Sequence, residues 1–132
     1  MSTLFSKIIQ RQLPAHIIAE DTQHIAFLDI YPKVTGHTLI VPKKEIDYLF
    51  DLSDEEIATL FQFAKKVGKT LEKVVPCQRI ALSVVGLEVP HLHIHLLPIH
   101  EEAELYAKDS PKKAPDEVLA KLASSITNTS IR

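Results

Sequence analysis

The run Pro90-His91-Leu92-His93-Ile94-His95-Leu96-Leu97-Pro98 sets three of the chain's seven histidines on alternate residues, with Leu92, Ile94 and Leu96 in the other register. Successive side chains of a β-strand point to opposite faces. A strand over residues 90–98 therefore gathers the three imidazoles on one side and the aliphatic residues on the other. A helix would scatter the rings around its cylinder and leave no coherent apolar face. Prolines at both ends fit a short strand, because proline has no N–H to give to a ladder. The segment predicts one core-facing side and one reactive side.

Three chemistries compete for the reactive side. The rings can be ordinary solvated histidines. They can also hold a metal. At about 3.3 Å per residue, neighbouring rings sit about 6.6 Å apart and the outer two about 13 Å apart. Two of them, not three, then reach a zinc ion whose nitrogen ligands lie at about 2.0–2.1 Å. A further ligand must come from His37, His100 or a carboxylate. In the third chemistry the central imidazole is a nucleophile, and the flanking rings orient it or donate protons. An unperturbed pKa of about 6.5 leaves much of a histidine neutral and nucleophilic near neutral pH.

Other stretches bear on the choice. Phe5-Ser6-Lys7-Ile8-Ile9, Leu13-Pro14-Ala15, Ala26-Phe27-Leu28-Asp29-Ile30 and Gly36-His37-Thr38-Leu39-Ile40-Val41-Pro42-Lys43 follow one another in that order. With His91-x-His93-x-His95 and the two apolar residues after it, they resemble the histidine triad (HIT) family of nucleotide hydrolases and transferases, and within it the small dimeric hydrolase branch. The resemblance covers residues 4–99, and motif and context together favour catalysis over metal.

Composition sets wider bounds. With 132 residues, 45% of them hydrophobic, the chain is long enough for one domain with a core. That domain is expected over 1–132, with its core at 4–99 and an extension at 100–132. A net charge of −2 gives no pull towards nucleic acid or membrane. The single cysteine, Cys77, excludes an internal disulfide and a multi-cysteine zinc site, and suits a reducing compartment. No signal-like opening and no apolar stretch of membrane-spanning length is present, so the expected location is the cytoplasm.

Leu4, Phe5, Ile8 and Ile9 predict a short amphipathic helix within residues 1–12, ending before Pro14. Residues 16–20 and 24–30 read as strands about the polar turn Asp21-Thr22-Gln23, residues 36–42 as a third strand, 78–85 as a fourth, and the histidine run as the fifth. Residues 43–75 read as helical. Ser53 and Glu56 make a capping box, and Ile57, Leu60, Phe61, Ala64, Val67, Leu71 and Val74 form a stripe that Pro76 closes. His16 and His24 read as surface residues, and His100 is unassigned. Past Pro98 the chain turns acidic and passes an exposed linker at 110–114. It ends in a helix opened by Pro115, with Val118, Leu119, Leu122, Ala123 and Ile126 on one face, which packs on its own domain or across a dimer. The expected class is α+β: a five-stranded antiparallel sheet, a long helix packed on one face, and short N- and C-terminal helices.

The resemblance implies roles for particular residues. Leu4, Phe5 and Ile8 wall a purine pocket that Phe27, Ile30 and Leu39 line further. Asp29, which alone reads as a carboxylate bonding turn amides, binds the ribose hydroxyls. His93 attacks the α-phosphorus of a nucleoside phosphoramidate or nucleotide anhydride, and water cleaves the nucleotidyl-histidine. His91 and His37 fix the tautomer of His93 and steady its charge, while His95 hydrogen-bonds the phosphate or leaving group. Transferase branches carry glutamine at the third triad position, so His95 favours hydrolysis. The implied substrates are purine nucleoside monophosphate conjugates and the implied assembly is a homodimer, with no metal and no cofactor.

The loop Val85-Gly86-Leu87-Glu88-Val89-Pro90 departs from the family pattern. Gly86 matches, Leu87 stands for a glutamine, and Glu88 stands for a hydroxyl residue. Two phosphate-binding side chains are lost, and the added carboxylate either repels a phosphate or reads a cationic leaving group. That departure sustains one alternative, a purine nucleotide-binding module with little or no turnover. A histidine-based metal site is the other.

Overall fold

Side-chain caps start two helices. Thr3 accepts the N–H of Ser6 to open a short helix α1 (Leu4–Ile9), and Ser53 accepts that of Glu56 to open the 21-residue α2 (Asp54–Val74); in both, the side chain three residues on bonds back to the cap's own N–H. Five strands lie between and after them: β1 (Ile17–Glu20), β2 (His24–Leu28), β3 (Thr38–Pro42), β4 (Arg79–Ser83) and β5 (Ile94–Ile99). A third helix, α3 (Asp116–Thr127), closes the chain. The computed structural model describes residues 3–106 and 112–129, so Met1 and Ser2 of the expected first helix, and Ser110 and Pro111 of the expected linker, lie outside the described residues.

The strands form one antiparallel sheet in the order β1-β2-β3-β5-β4, the architecture expected from the sequence. Strand alternation divides the interior in two. Ile18, Ala26, Leu28, Ile40, Leu92, Ile94 and Leu96 face α2 and α3 in the larger core. Ile25, Phe27, Leu39 and Val41 face the other way, into a smaller cluster closed by Phe5 and Ile8 of α1. Each buried side chain of this size contributes about 1.5–3 kcal/mol of apolar transfer. The sheet is held on both faces.

Several boundaries differ from expectation. Residues 90–93 are not strand: His91 N–H bonds the Val89 carbonyl and Leu92 N–H bonds the Ile46 carbonyl, so β5 starts at Ile94. Residues 43–48 are not helical, because Lys43 N–H goes to Gln23 and the Ile46 carbonyl is taken by Leu92; only a short 3-10 turn at Leu49–Asp51 precedes α2. Phe61 is 37% exposed, and Phe63, on the opposite flank of the Leu60–Ala64–Val67–Leu71 row, is buried in its place. His24 is buried, with its ring stacked on Phe63 at 5.1 Å between centroids and its Nδ1 bonded to Asp21. Ala114 is half-buried and gives its N–H to the Ile30 carbonyl. Helix α3 packs on β1 and α2 of its own chain through Leu119 and Ile126, while Val118 points outward. Among the described residues, no helix is long and apolar enough to cross a membrane.

Gly36 turns the chain into β3 with φ +87°, and a Cβ there would meet Val75 Cγ2 at 2.9 Å and Pro98 Cγ at 3.1 Å. Gly86 has φ +80°, and a Cβ there would meet nothing within 4 Å. Both positions disfavour an L side chain, but only the first adds a clash. Gly36→Ala is therefore expected to destabilise the fold by about 1–3 kcal/mol, and more than Gly86→Ala does. Urea midpoints of the two variants check the order.

Candidate active site

Register builds the site on the α1 side of the sheet. Phe27 pairs with Leu39 and Leu39 with His95, so these three side chains lie side by side across β2, β3 and β5. Phe5 of α1 sits edge-on to Phe27 at 5.6 Å and to His93 at 4.9 Å between ring centroids. Of the residues assigned to an apolar slot, the fold brings together Phe5, Ile8, Phe27 and Leu39. Leu4 and Ile30 are not part of that buried cluster. At 50% exposed, Leu4 lies on the outer face of α1, and Ile30 at 37% leaves the sheet with the turn after β2. Gly86 lies in the exposed loop between β4 and the triad, where Leu87 is 90% exposed.

The three triad rings follow one another along this side. His93 and His95 are 4.9 Å apart between centroids, closer than an ideal strand would set them, because His93 precedes β5. Main-chain groups fix their proton positions. His93 Nδ1 lies 2.8 Å from the His91 carbonyl oxygen, an acceptor only, so Nδ1 carries the proton and the Nε2 lone pair is left free. His91 is fully buried. Its Nε2–H donates to the Pro42 carbonyl at 2.8 Å, so its Nδ1 accepts, and the Thr3 hydroxyl donates to it at 2.9 Å. Thus His91 sets the tautomer of His93 through its backbone, not through its ring.

The same reasoning runs through His37. The Lys33 N–H donates to His37 Nδ1 at 3.1 Å, so the neutral ring carries its proton on Nε2. Nε2 lies 2.9 Å from His95 Nδ1 and donates to it, which leaves the proton of a neutral His95 on Nε2. His37 therefore orients His95 rather than His93. Burial pushes His37 down to about 3, aided by the His95, Lys33 and His93 charges, and pushes His95 down to about 4, aided by His93 and Lys33. Burial also lowers His91, against the opposing bond to Pro42. These rings are held neutral at ordinary pH.

Asp29 follows β2 directly, beside this relay. One of its oxygens accepts the Tyr31 N–H at 2.8 Å, the turn bond the sequence suggests, and the other lies 3.6 Å from His37 Nε2. Burial lifts its carboxyl above the usual range; the Tyr31 N–H opposes the rise, and Glu88 adds to it. His100, exposed, gives its backbone N–H to Glu104 and joins nothing in the site.

Asp29, His37 and His95 also bring one ligand atom each within 4.8 Å of one another, the one such trio among the described residues. Its donor set does not suit a metal. A metal-bound histidine gives its other N–H to an acceptor, whereas the other nitrogen of His37 faces the Lys33 N–H, a donor. Nitrogens sharing a tetrahedral zinc at about 2.0–2.1 Å stand about 3.3 Å apart; those of His37 and His95 are 2.9 Å apart, a hydrogen-bond length.

Sequence reasoning did not find Thr3, the Pro42 carbonyl or the Lys33 amide. The Thr3-Leu4-Phe5-Ser6 pattern signals a cap, but nothing local points to a ring 88 residues away.

Known proteins share this sequence pattern and this fold. The HIT domain family model matches residues 10–102. The uncharacterized HIT-like protein of Methanocaldococcus jannaschii is 37% identical over 102 residues, covering 74% of this chain and 79% of that one. The adenosine 5'-monophosphoramidase of Schizosaccharomyces pombe is 37% identical over 103 residues, 74% of each chain. The crystal structure of a Hit-like protein involved in cell-cycle regulation from Bartonella henselae superposes with a TM-score of 0.85 at 28% identity, covering 98% of this chain and 96% of that one. With the family model matched over most of its length, this chain belongs to the HIT family.

Proposed function

We propose that the chain hydrolyses the α-phosphorus bond of nucleoside phosphoramidates or nucleotide anhydrides through a nucleotidyl group carried on His93, releasing a nucleoside monophosphate. The observation that carries this reading is the free Nε2 lone pair of His93, left by the Nδ1–H bond to the His91 carbonyl, on a ring whose centroid is 4.9 Å from that of His95. The lone pair attacks phosphorus, and the bond to the leaving group breaks with its electron pair. The substituted ring is cationic, and its Nδ1–H bond to the His91 carbonyl becomes charge-assisted, which stabilises the intermediate. His95 donates from Nε2 to the phosphate or the departing atom as charge develops. Water then cleaves the nitrogen–phosphorus bond and restores His93. The phosphoramidase name of the fission-yeast relative supports this substrate class.

In this reading a purine lies against Phe5, Ile8, Phe27 and Leu39, and the ribose hydroxyls bond Asp29, which keeps one oxygen clear of the Tyr31 N–H. The exposed carboxylate of Glu88, near enough to Asp29 to raise its pKa, favours leaving groups that carry a positive charge. The assembly is a homodimer joined along β4. That strand lies at the sheet edge, and Leu82, Val85 and Leu87 around it are exposed, a combination that invites pairing with a second copy. Light scattering is expected to give twice the chain mass; a monomer at assay concentration removes the dimer.

His93→Ala is expected to abolish release of leaving group from adenosine 5'-phosphoramidate while monophosphate binding persists in calorimetry. Turnover near wild type in that variant overturns the assignment, and tight binding by a wild-type chain without turnover establishes the binding-module alternative. Treatment with chelator is expected to change neither.

Acidity acts on the neutral rings. His37 and His95 take up protons near 6.5 when the chain is unfolded, but only near about 3 and about 4 when folded. The unfolded state thus binds more protons across that window. Stability is at its full value above pH 6.5 and falls as pH drops towards 4. Urea midpoints measured between pH 7 and 4 are expected to decline, and the decline is expected to be shallower in His95→Gln.

A further inference from the structure

We propose that Thr3 is a positioning residue for the nucleophile: its hydroxyl and the Pro42 carbonyl clamp the His91 ring from both nitrogens, and this clamp holds the His91 carbonyl where it fixes the tautomer of His93. The inference rests on His93 acting as the nucleophile, as proposed above.

The hydroxyl has one proton and two possible takers. His91 Nδ1 lies at 2.9 Å and Ser6 Oγ at 3.2 Å. Ser6 Oγ already accepts the Thr3 N–H at 2.6 Å and gives its own proton to the Thr3 carbonyl at 2.9 Å, so it is satisfied without the hydroxyl. Among the described residues the Nδ1 of a fully buried His91 has no other donor, and leaving it unpaired would carry the desolvation penalty of a lone buried acceptor. The proton therefore goes to the ring. On its other side the hydroxyl accepts the Ser6 N–H at 3.0 Å, which pins it to the first turn of α1.

Two nitrogens held at 2.8 and 2.9 Å leave the His91 ring no rotation, and the adjoining backbone is held as well. His91 N–H bonds the Val89 carbonyl, and the next amide, Leu92, bonds Ile46 at 2.7 Å. The His91 carbonyl between them receives His93 Nδ1–H at 2.8 Å. Phe5, two residues beyond Thr3, adds its edge to the His93 ring. One turn of helix thus holds the nucleophile through a ring clamp at Thr3 and an aromatic contact at Phe5.

Substitutions at position 3 separate the clamp from the helix cap. Serine keeps both. Aspartate keeps the cap, being among the best N-cap residues, but presents His91 with an acceptor in place of a donor. The full chain, labelled with 15N-histidine, is assayed with adenosine 5'-phosphoramidate. Thr3→Ser is expected to retain wild-type kcat and ring signatures. Thr3→Asp is expected to move the His91 Nδ1 resonance to its protonated value, to mix the His93 tautomers, and to lower kcat about tenfold or more, the scale on which orienting partners of metal-bound histidines act, with KM little changed. Thr3→Asp with wild-type kcat, whether or not the His91 resonance moves, overturns the proposal and leaves Thr3 a helix cap. So does loss of activity in Thr3→Ser with the tautomers intact. A wild-type chain that does not turn over fails the His93 reading by itself. In that case the 15N resonances, which need no turnover, decide whether Thr3 sets the ring states.

Discussion

A single main-chain bond, from His93 Nδ1–H to the carbonyl two residues earlier, is the constraint on which the rest of the site depends. A histidine in water exchanges between tautomers, and only one of them presents Nε2 as a lone pair. A peptide carbonyl only accepts, so whenever the ring is neutral it selects that tautomer. Everything around the bond keeps the carbonyl in place: the buried His91 ring, the amide of Leu92 tied to Ile46, and the loop that leaves the strand pattern at residues 90–93.

The sheet makes this possible by being covered unequally. Helices α2 and α3 bury the larger core on one side, and that core includes Leu92, Ile94 and Leu96, the residues alternating with the histidines. Among the described residues the opposite side carries the six residues of α1 and a small apolar cluster, and the polar rings lie beneath them. Burial is deep enough to keep His37 and His95 neutral. Neutral rings donate and accept at once, which a chain of hydrogen bonds from Lys33 to His95 requires.

Periodicity carried much of this into the sequence. Alternation at 91–95 placed the aliphatic residues in the core, and the Ser53–Glu56 pair started the long helix at the right residue. Periodicity failed where a tertiary hydrogen bond outranked it. Residues 43–48 are not helical because the Ile46 carbonyl serves Leu92, and β5 starts late for the same reason. The Phe61 and Phe63 exchange reflects a flank choice that a stripe of three- and four-residue steps leaves open. His24 read as a surface residue because nothing nearby in sequence announces Phe63 as its stacking partner. Within the site, the gathering of the three rings on one side was legible, but Thr3 was not, nor was the direction of each proton, since carbonyls and amides supply most of it and nearly every residue has both.

The relay from His95 through His37 stops at the amide of Lys33. Many catalytic histidines lean on a carboxylate, whose charge and protonation can be altered by one change of side chain. Here the last member is part of the polypeptide backbone itself, so the polarity of the whole row is indifferent to what side chain residue 33 bears. Proline alone, lacking the hydrogen, would leave the row without its terminus. What the Lys33 side chain adds is charge, which helps hold His37 and His95 neutral, while the wiring beneath it stays the same.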